Sequence, residues 1–161
     1  MSMKAESRNG VKQSYFLRLG LVYICTMVKN QTKLRVRYAE TDQMGYVYYG
    51  NYATYFEVGR VELMRQLGTS YREIEESGLM LPVRDFSIRY LKPALYDDLL
   101  TVETRIEEMP GARIKFLYSI FNEAGELLNT AETTLVFVSK ETNRPVGAPQ
   151  SFLDAMNPFF N

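Results

Sequence analysis

Asp42 is the acid around which any chemistry in this sequence has to be organised, because the chain contains no histidine. That absence excludes Ser-His and Cys-His nucleophile pairs and histidine-ligated zinc. Carboxylates, hydroxyls, backbone amides, or a metal held by oxygen ligands alone remain. Asp42 precedes a return through Gly45 and the residues Tyr48, Tyr49, Gly50 and Asn51, the last of a type suited to capping a helix. The first amides of such a helix, near Tyr49 to Tyr52, lack intrahelical acceptors and carry the positive end of its dipole. Amides placed there stabilise the oxyanion that develops when a carbonyl is attacked, so an acid facing them is suited to hydrolysis. Alone, a loop aspartate after a strand is more often a turn former or cap. The amides opposite it are what point to chemistry.

The elements that must position Asp42 are legible around it. Residues 32–38 alternate polar and apolar, the period of a half-buried strand that feeds straight into the Asp42 loop. After Asn51, the residues Tyr52, Phe56, Gly59, Leu63 and Leu67 recur at spacings of four, three, four and four, lining one helical face, and Gly68 follows as a stop. The segment 71–77 reads as a short continuation before Gly78. From Leu81 onward the signal changes to strands over 82–91, 99–108, 112–122 and 126–139, separated by Pro- and Gly-containing turns. Short turns favour antiparallel pairing. The expectation is an α+β fold: one antiparallel sheet wrapped around one long central helix. Such a sheet covers one side of the helix and leaves edge strands and apolar surface open, for which dimerisation is the simple remedy. The alternative is a monomer capped by residues 1–30 and the segment Phe152 to Phe160.

Composition bounds the rest. The 161 residues, 46% apolar and 24% charged, are expected to form a single soluble domain over 31–161. Lys plus Arg and Asp plus Glu each number 19, so no basic excess draws nucleic acid. One cysteine, Cys25, forms no internal disulfide, which fits a reducing, cytoplasmic setting. Residues 1–30 differ from the rest, with a polar basic start and then an apolar run from Tyr15 to Cys25. Arg18 splits that run and Thr26-Met27 is no small-residue cleavage site, which argues against a signal peptide. It has about half the roughly 20 apolar residues that a membrane span needs. The favoured reading is an extension outside the core, with Met27 as a second start position; a short helix or strand packed on the domain is the alternative.

Arg37-Tyr38 with Asp42, Gly45, Val47, Tyr49, Asn51-Tyr52, Phe56-Glu57 and Arg60 resembles the signature of hotdog-fold acyl-CoA thioesterases of the 4-hydroxybenzoyl-CoA thioesterase type. The similarity in strand order runs from about Thr32 to Ser139, and Thr142-Asn143-Arg144-Pro145 followed by Pro149 is similar to the family's closing segment. The resemblance implies a hotdog fold, a homodimer or homotetramer, and an active site at the dimer interface. It places Asp42 on the catalytic aspartate, nucleophile or general base, and the amides of Tyr49 and Gly50 on the carbonyl-polarising turn. Many members carry histidine where this chain has Tyr49, which removes a side chain able to aid proton transfer.

Glu57 is the rival acid, because another branch of hotdog thioesterases uses a carboxylate on the central helix; its other reading is a partner for Arg60. Tyr46, Tyr48, Tyr49, Tyr52 and Tyr55 can shape an acyl pocket or pack the core and interface. Arg84, Arg89 and Lys92 are the cations available for the phosphates of coenzyme A. Glycine-rich nucleotide loops, clustered cysteines and EF-hand spacing are absent, and thioester hydrolysis calls for no cofactor and no metal. The expected activity is acyl-CoA hydrolysis. Hydrolysis of acyl-carrier-protein thioesters and non-catalytic acyl-CoA binding are the alternatives, while dehydratases that resemble this fold need a histidine.

Overall fold

The computed structural model describes residues 14–18, 21–25 and 27–160. Two short strands, β1 (Ser14–Arg18) and β2 (Leu21–Cys25), pair antiparallel with each other from Ser14↔Cys25 to Arg18↔Leu21. Strand β3 (Val28–Arg35) opens the main sheet. It begins before residue 32 because Val28 is fully buried and pairs with Ile106, so the expected boundary after residue 30 falls inside a strand. Asn30 hides this alternation in the sequence: it is a polar residue on the buried face, bonded to Thr32 Oγ1 at 3.2 Å and to Gln66 Nε2 at 2.9 Å. At its other end the strand stops at Arg35 rather than residue 38, and Tyr38–Glu40 wind into a 3-10 turn.

Helix α1 (Tyr52–Gln66) is the long helix, entered through a second 3-10 turn at Tyr49–Asn51. Asn51 is not the cap that its residue type suggested. Its backbone is already helical (φ −71°, ψ −22°), and its Nδ2 donates instead to the Glu40 carbonyl at 2.7 Å. The helix stops where expected: Gly68 takes φ +79°, a conformation that favours glycine, and Thr69 N–H reaches back to the Met64 carbonyl at 3.1 Å. A short helix α2 (Tyr71–Glu76) follows, with Ser70 Oγ accepting from the Glu73 amide at 3.2 Å. Then come β4 (Leu79–Met80), β5 (Val83–Tyr90), β6 (Leu99–Ile106), β7 (Arg113–Phe121), β8 (Leu127–Val136) and β9 (Val138–Ser139). The main sheet has the order β3-β6-β7-β8-β5, with every neighbouring pair antiparallel.

This is the expected α+β architecture, a hotdog arrangement with α1 packed against the sheet. Phe56 anchors it, its ring 4.7 Å from Tyr118 and 6.0 Å from Phe86. The single strand expected over 126–139 breaks at Phe137, which is fully buried and packs against Phe152 at 6.0 Å. Phe152 belongs to α3 (Gln150–Phe160), a helix that the sequence pattern did not announce, with Pro158 inside it and Pro149 at its start. Among the described residues no helix is long and apolar enough to cross a membrane.

Helix α1 approaches the sheet closely at Gly59. A Cβ there would lie 2.5 Å from Thr104 Oγ1 and 2.9 Å from Val102 Cγ1, so the absent side chain lets α1 rest directly on β6. Gly59→Ala should therefore destabilise the fold by about 1–3 kcal/mol through overpacking, despite alanine's better helix propensity. Urea denaturation measures the loss. Adding Thr104→Ala should recover part of it, and a neutral Gly59→Ala would show that the helix can lift without cost.

Candidate active site

Residues 37–51 form a loop whose two ends are tied to one buried residue, Glu40, the first through its carboxylate and the second through its backbone carbonyl. Glu40 Oε2 accepts from the Arg37 amide at 2.8 Å and from the Tyr55 hydroxyl at 2.7 Å, and Oε1 accepts from Arg37 Nε at 2.7 Å and from a second nitrogen of the same guanidinium. The Glu40 carbonyl in turn accepts from the Tyr48 amide at 2.9 Å and from Asn51 Nδ2 at 2.7 Å. Burial works against the charge on Glu40, but the bonds from Arg37 and Tyr55 outweigh it and hold the carboxyl below its usual range. Burial first, and then the bond to Glu40, raise the Tyr55 phenol well above its own range. The phenol thus stays a neutral donor to the carboxylate.

Between these anchored ends lies Asp42, half-buried. Its Oδ1 accepts from the Met44 amide at 2.9 Å, its carbonyl from Gly45 N–H at 2.9 Å, and its own amide donates to the Tyr46 carbonyl at 2.9 Å. Gly45 closes this turn at φ +79°. The turn-forming reading of Asp42 is therefore satisfied by Oδ1. Its second oxygen, Oδ2, has no hydrogen-bond partner among the described residues.

Asp42 opens onto a cleft of about 310 Å³, a size usual for small-molecule sites, shared with Tyr46, Tyr49, Tyr52, Tyr90 and Lys92. Tyr49 and Gly50 are the first two residues of the helical run, so their N–H groups have no carbonyl one turn before them. Tyr90 fixes that turn by donating its hydroxyl to the Tyr49 carbonyl at 3.1 Å. Tyr52 accepts from the Ala94 amide at 3.3 Å and meets the Tyr90 ring edge-on at 5.5 Å. Desolvation, with smaller help from neighbouring groups, raises the Tyr52 phenol, which stays neutral at physiological pH. Asp42, Tyr49 and an aromatic wall border this one small space, while Gly50, the next residue of the helix start, does not line it.

The remaining residues expected at the site are placed elsewhere. Tyr48 is exposed and packs its ring 4.5 Å from that of Tyr49. Glu57 is exposed on α1 and pairs with Arg60 at 3.7 Å, as its structural reading requires. Arg84 pairs with its neighbour Asp85 at 3.5 Å, and Arg89 lines a shallow depression on another part of the sheet together with Arg105 and Glu132. Of the three cations only Lys92 reaches the cleft, and there it pairs with Glu126. Among the described residues no group of three or more Cys, Asp or Glu is gathered to hold a metal. Sequence reasoning missed Glu40, Tyr55 as its partner, and Tyr90. Arg37 three residues before Glu40 was a usable signal for an ion pair; nothing local marked that carboxylate as buried.

Residues 36–156 match the thioesterase-like superfamily. The Bacillus subtilis protein YneP is 41% identical over 125 residues, covering 78% of this chain and 91% of its own. The acyl-CoA thioester hydrolase YbgC of Escherichia coli is 32% identical over 120 residues, covering 74% of this chain and 90% of its own. Among solved structures, the DHNA-CoA thioesterase from Staphylococcus aureus superposes with a TM-score of 0.77 at 37% identity, covering 81% of this chain and 89% of that one.

Glu40 gives this geometry a pH signature. Its folded-state pKa lies below that of the unfolded chain, so its stabilisation is fully present above about pH 4.3 and is lost as pH falls through the folded value. Glu40→Gln should cost on the order of 1–3 kcal/mol at neutral pH. The gap between wild type and variant, followed by urea denaturation across pH, should narrow on acidification below about pH 4. A gap independent of pH would mean that the charge contributes nothing.

Proposed function

Because this chain belongs to the thioesterase-like superfamily, we propose that it is an acyl-CoA thioesterase whose site is the cleft at the first turn of α1. The observation that carries this reading is the meeting of Asp42 and Tyr49 in one cleft beside the unpaired amides of a helix start. The thioester carbonyl sits with its oxygen toward the amides of Tyr49 and Gly50, which take up negative charge as the carbon becomes tetrahedral. Asp42 Oδ2 either adds to that carbon, giving an anhydride that water then opens, or removes a proton from the attacking water. Both routes expel the thiolate of coenzyme A and yield a free acid. Gly45 shapes the turn, Tyr52 and Tyr90 wall the acyl group, and Lys92 exchanges Glu126 for a phosphate of the substrate. Within the superfamily, the signature from Arg37 to Arg60 supports the 4-hydroxybenzoyl-CoA thioesterase type. The single cysteine is in keeping with a cytoplasmic enzyme.

The active unit in this proposal is a homodimer or a homotetramer built from it. Strand β5 is an edge of the main sheet and exposes Val83, Phe86 and Tyr90, and Val58 of α1 is exposed as well. An apolar, unpaired edge of this kind is a surface that proteins cover. Tyr90 belongs both to that edge and to the cleft, so a second copy seated on β5 also covers the site.

Free-thiol release from short, long and aromatic acyl-CoAs tests the activity. Asp42→Asn should lower turnover by at least about 100-fold, while Glu57→Gln stays within a few-fold of wild type. The opposite ranking would move the chemistry onto α1. Tyr49→Phe should be mild, since only its amide is used. Silence across the panel from folded protein would leave carrier-protein thioesters or a binding role. Val58→Asp should lower both the oligomeric mass on gel filtration and the turnover, and a fully active monomer would reject the shared site.

A further inference from the structure

Tyr52, Tyr55 and Tyr118 are the tyrosines buried among the described residues, and two of them have hydroxyls fully engaged. Tyr55 donates to Glu40 at 2.7 Å, and the hydroxyls of Tyr118 and Thr133 share one bond at 2.8 Å. Tyr52 differs. It is 2% exposed, its oxygen accepts from the Ala94 amide at 3.3 Å, and no residue among those described accepts its own proton. A phenol buried with an unused donor carries a cost that a phenylalanine ring of the same shape avoids. Desolvation keeps the phenol protonated, so the donor is present at physiological pH.

The unused donor lies at the cleft. Tyr52 lines it together with Asp42, Tyr49 and Pro93, and its oxygen is bonded to Ala94, the residue that follows Pro93. Helical side chains lean toward the N-terminal end of their helix, so Tyr52, the first residue of α1, reaches back over the turn that carries the Tyr49 amide. Tyr90 ties the two together: its ring meets Tyr52 edge-on at 5.5 Å, and its hydroxyl donates to the Tyr49 carbonyl at 3.1 Å. The phenol oxygen is itself fixed. The Ala94 carbonyl accepts from the Val47 amide at 2.9 Å, and the Asp42 amide donates to the Tyr46 carbonyl at 2.9 Å, so the wall that holds the phenol is joined to the turn bearing Asp42. A hydroxyl held by its oxygen still turns its proton to suit. Gly50 does not line the cleft, which leaves this wall with the Tyr49 amide alone for an oxyanion able to accept several bonds.

We propose that Tyr52 is a further catalytic residue, its hydroxyl donating a hydrogen bond to the thioester carbonyl oxygen beside the Tyr49 amide. The proposal rests on the thioesterase reading. As the carbonyl carbon becomes tetrahedral its oxygen gains negative charge, and the bond from the phenol strengthens with it. The proton stays on Tyr52 throughout. When the carbonyl re-forms, the electron pair returns from the oxygen to the carbon and the thiolate leaves. In a chain without histidine, the phenol adds a side-chain donor to a site otherwise served by backbone.

The test uses the full chain. Tyr52→Phe removes the hydroxyl and keeps the ring, so free-thiol release from the acyl-CoA panel should lose about 100-fold in kcat while KM stays within about three-fold of wild type. A spectroscopic readout separates this role from a structural one. Infrared difference spectra of a ketone analogue of the best substrate, with a methylene in place of the thioester sulfur, should put the bound carbonyl stretch at lower wavenumber in wild type than in Tyr52→Phe. Turnover of Tyr52→Phe within a few-fold of wild type would overturn the proposal and leave the thioesterase reading standing, whereas no turnover by folded wild type across the panel would sink both. A stretch that does not move, whatever the rate, would overturn it as well, because the hydroxyl would then serve only to hold Ala94. Should the phenylalanine variant fail to fold, 3-fluorotyrosine at position 52 keeps the ring and the oxygen while donating more strongly. The stretch should then fall further, and a stretch equal to that of wild type would overturn the assignment.

Discussion

Everything near the candidate site depends on keeping the buried carboxylate of Glu40 charged and fully bonded. A carboxylate in a protein interior is tolerated only with its lone pairs taken up, and here they are taken up by Arg37 and Tyr55. Arg37 supplies the start of the loop, Tyr55 the buried face of α1, and the Glu40 carbonyl collects Tyr48 and Asn51 from the helix start. The loop bearing Asp42 is therefore clamped at both ends to the helix that offers the free amides. No residue of this clamp lines the cleft, which is bordered by Asp42 and Tyr49.

The clamp is only as well placed as the helix that carries Tyr55, and that helix is positioned by contacts of another kind. Gly59 brings α1 down onto β6, Phe56 fills the space against Tyr118 and Phe86, and Gln66 reaches Asn30 on β3. Apolar packing sets the height of the helix over the sheet, and the polar pairs set its position along the strands. Such directional bonds specify one arrangement where hydrophobic contact alone would permit several. Asn30 and Glu40 perform the same service at opposite ends of α1.

The sequence carried the fold clearly because both periodicities were clean. The apolar face of α1 and the alternation in β7 and β8 need no knowledge of partners. The nearness of Asp42 and Tyr49 and the turn at Gly45 were legible in the sequence because a loop acid before a helix start is a local pattern. What it did not carry depends on distant partners: Glu40 looks like any surface acid until Tyr55 is seen beside it, and Arg84 and Arg89 look available until β5 and its neighbours place them away from the cleft. The start of β3 was misjudged for the same reason, since Asn30 is polar in composition and interior in position. Asn51 shows the inverse case, a residue of the right type for a cap whose side chain is drawn instead to the Glu40 carbonyl across the loop. The helix α3 carries Pro158, a residue that ordinarily argues against a helix interior.

A further constraint joins stability to function in the proposed enzyme. Of the tyrosines lining the cleft, Tyr46, Tyr49 and Tyr90 are exposed while Tyr52 is buried, and Tyr90 sits on the edge strand of the sheet. An edge strand presents unpaired backbone groups, while a catalytic cleft gains from the exclusion of water, because charge developing on a carbonyl oxygen is better stabilised by fixed dipoles in a low-dielectric space. Seating a second copy against β5 meets both demands with one surface. A chain without histidine has particular reason to favour this solution. In the proposed mechanism the helix-start part of the oxyanion site would be made of backbone and the acid would be a single aspartate, neither tunable through an imidazole, so enclosure of the cleft would be the remaining way to strengthen both.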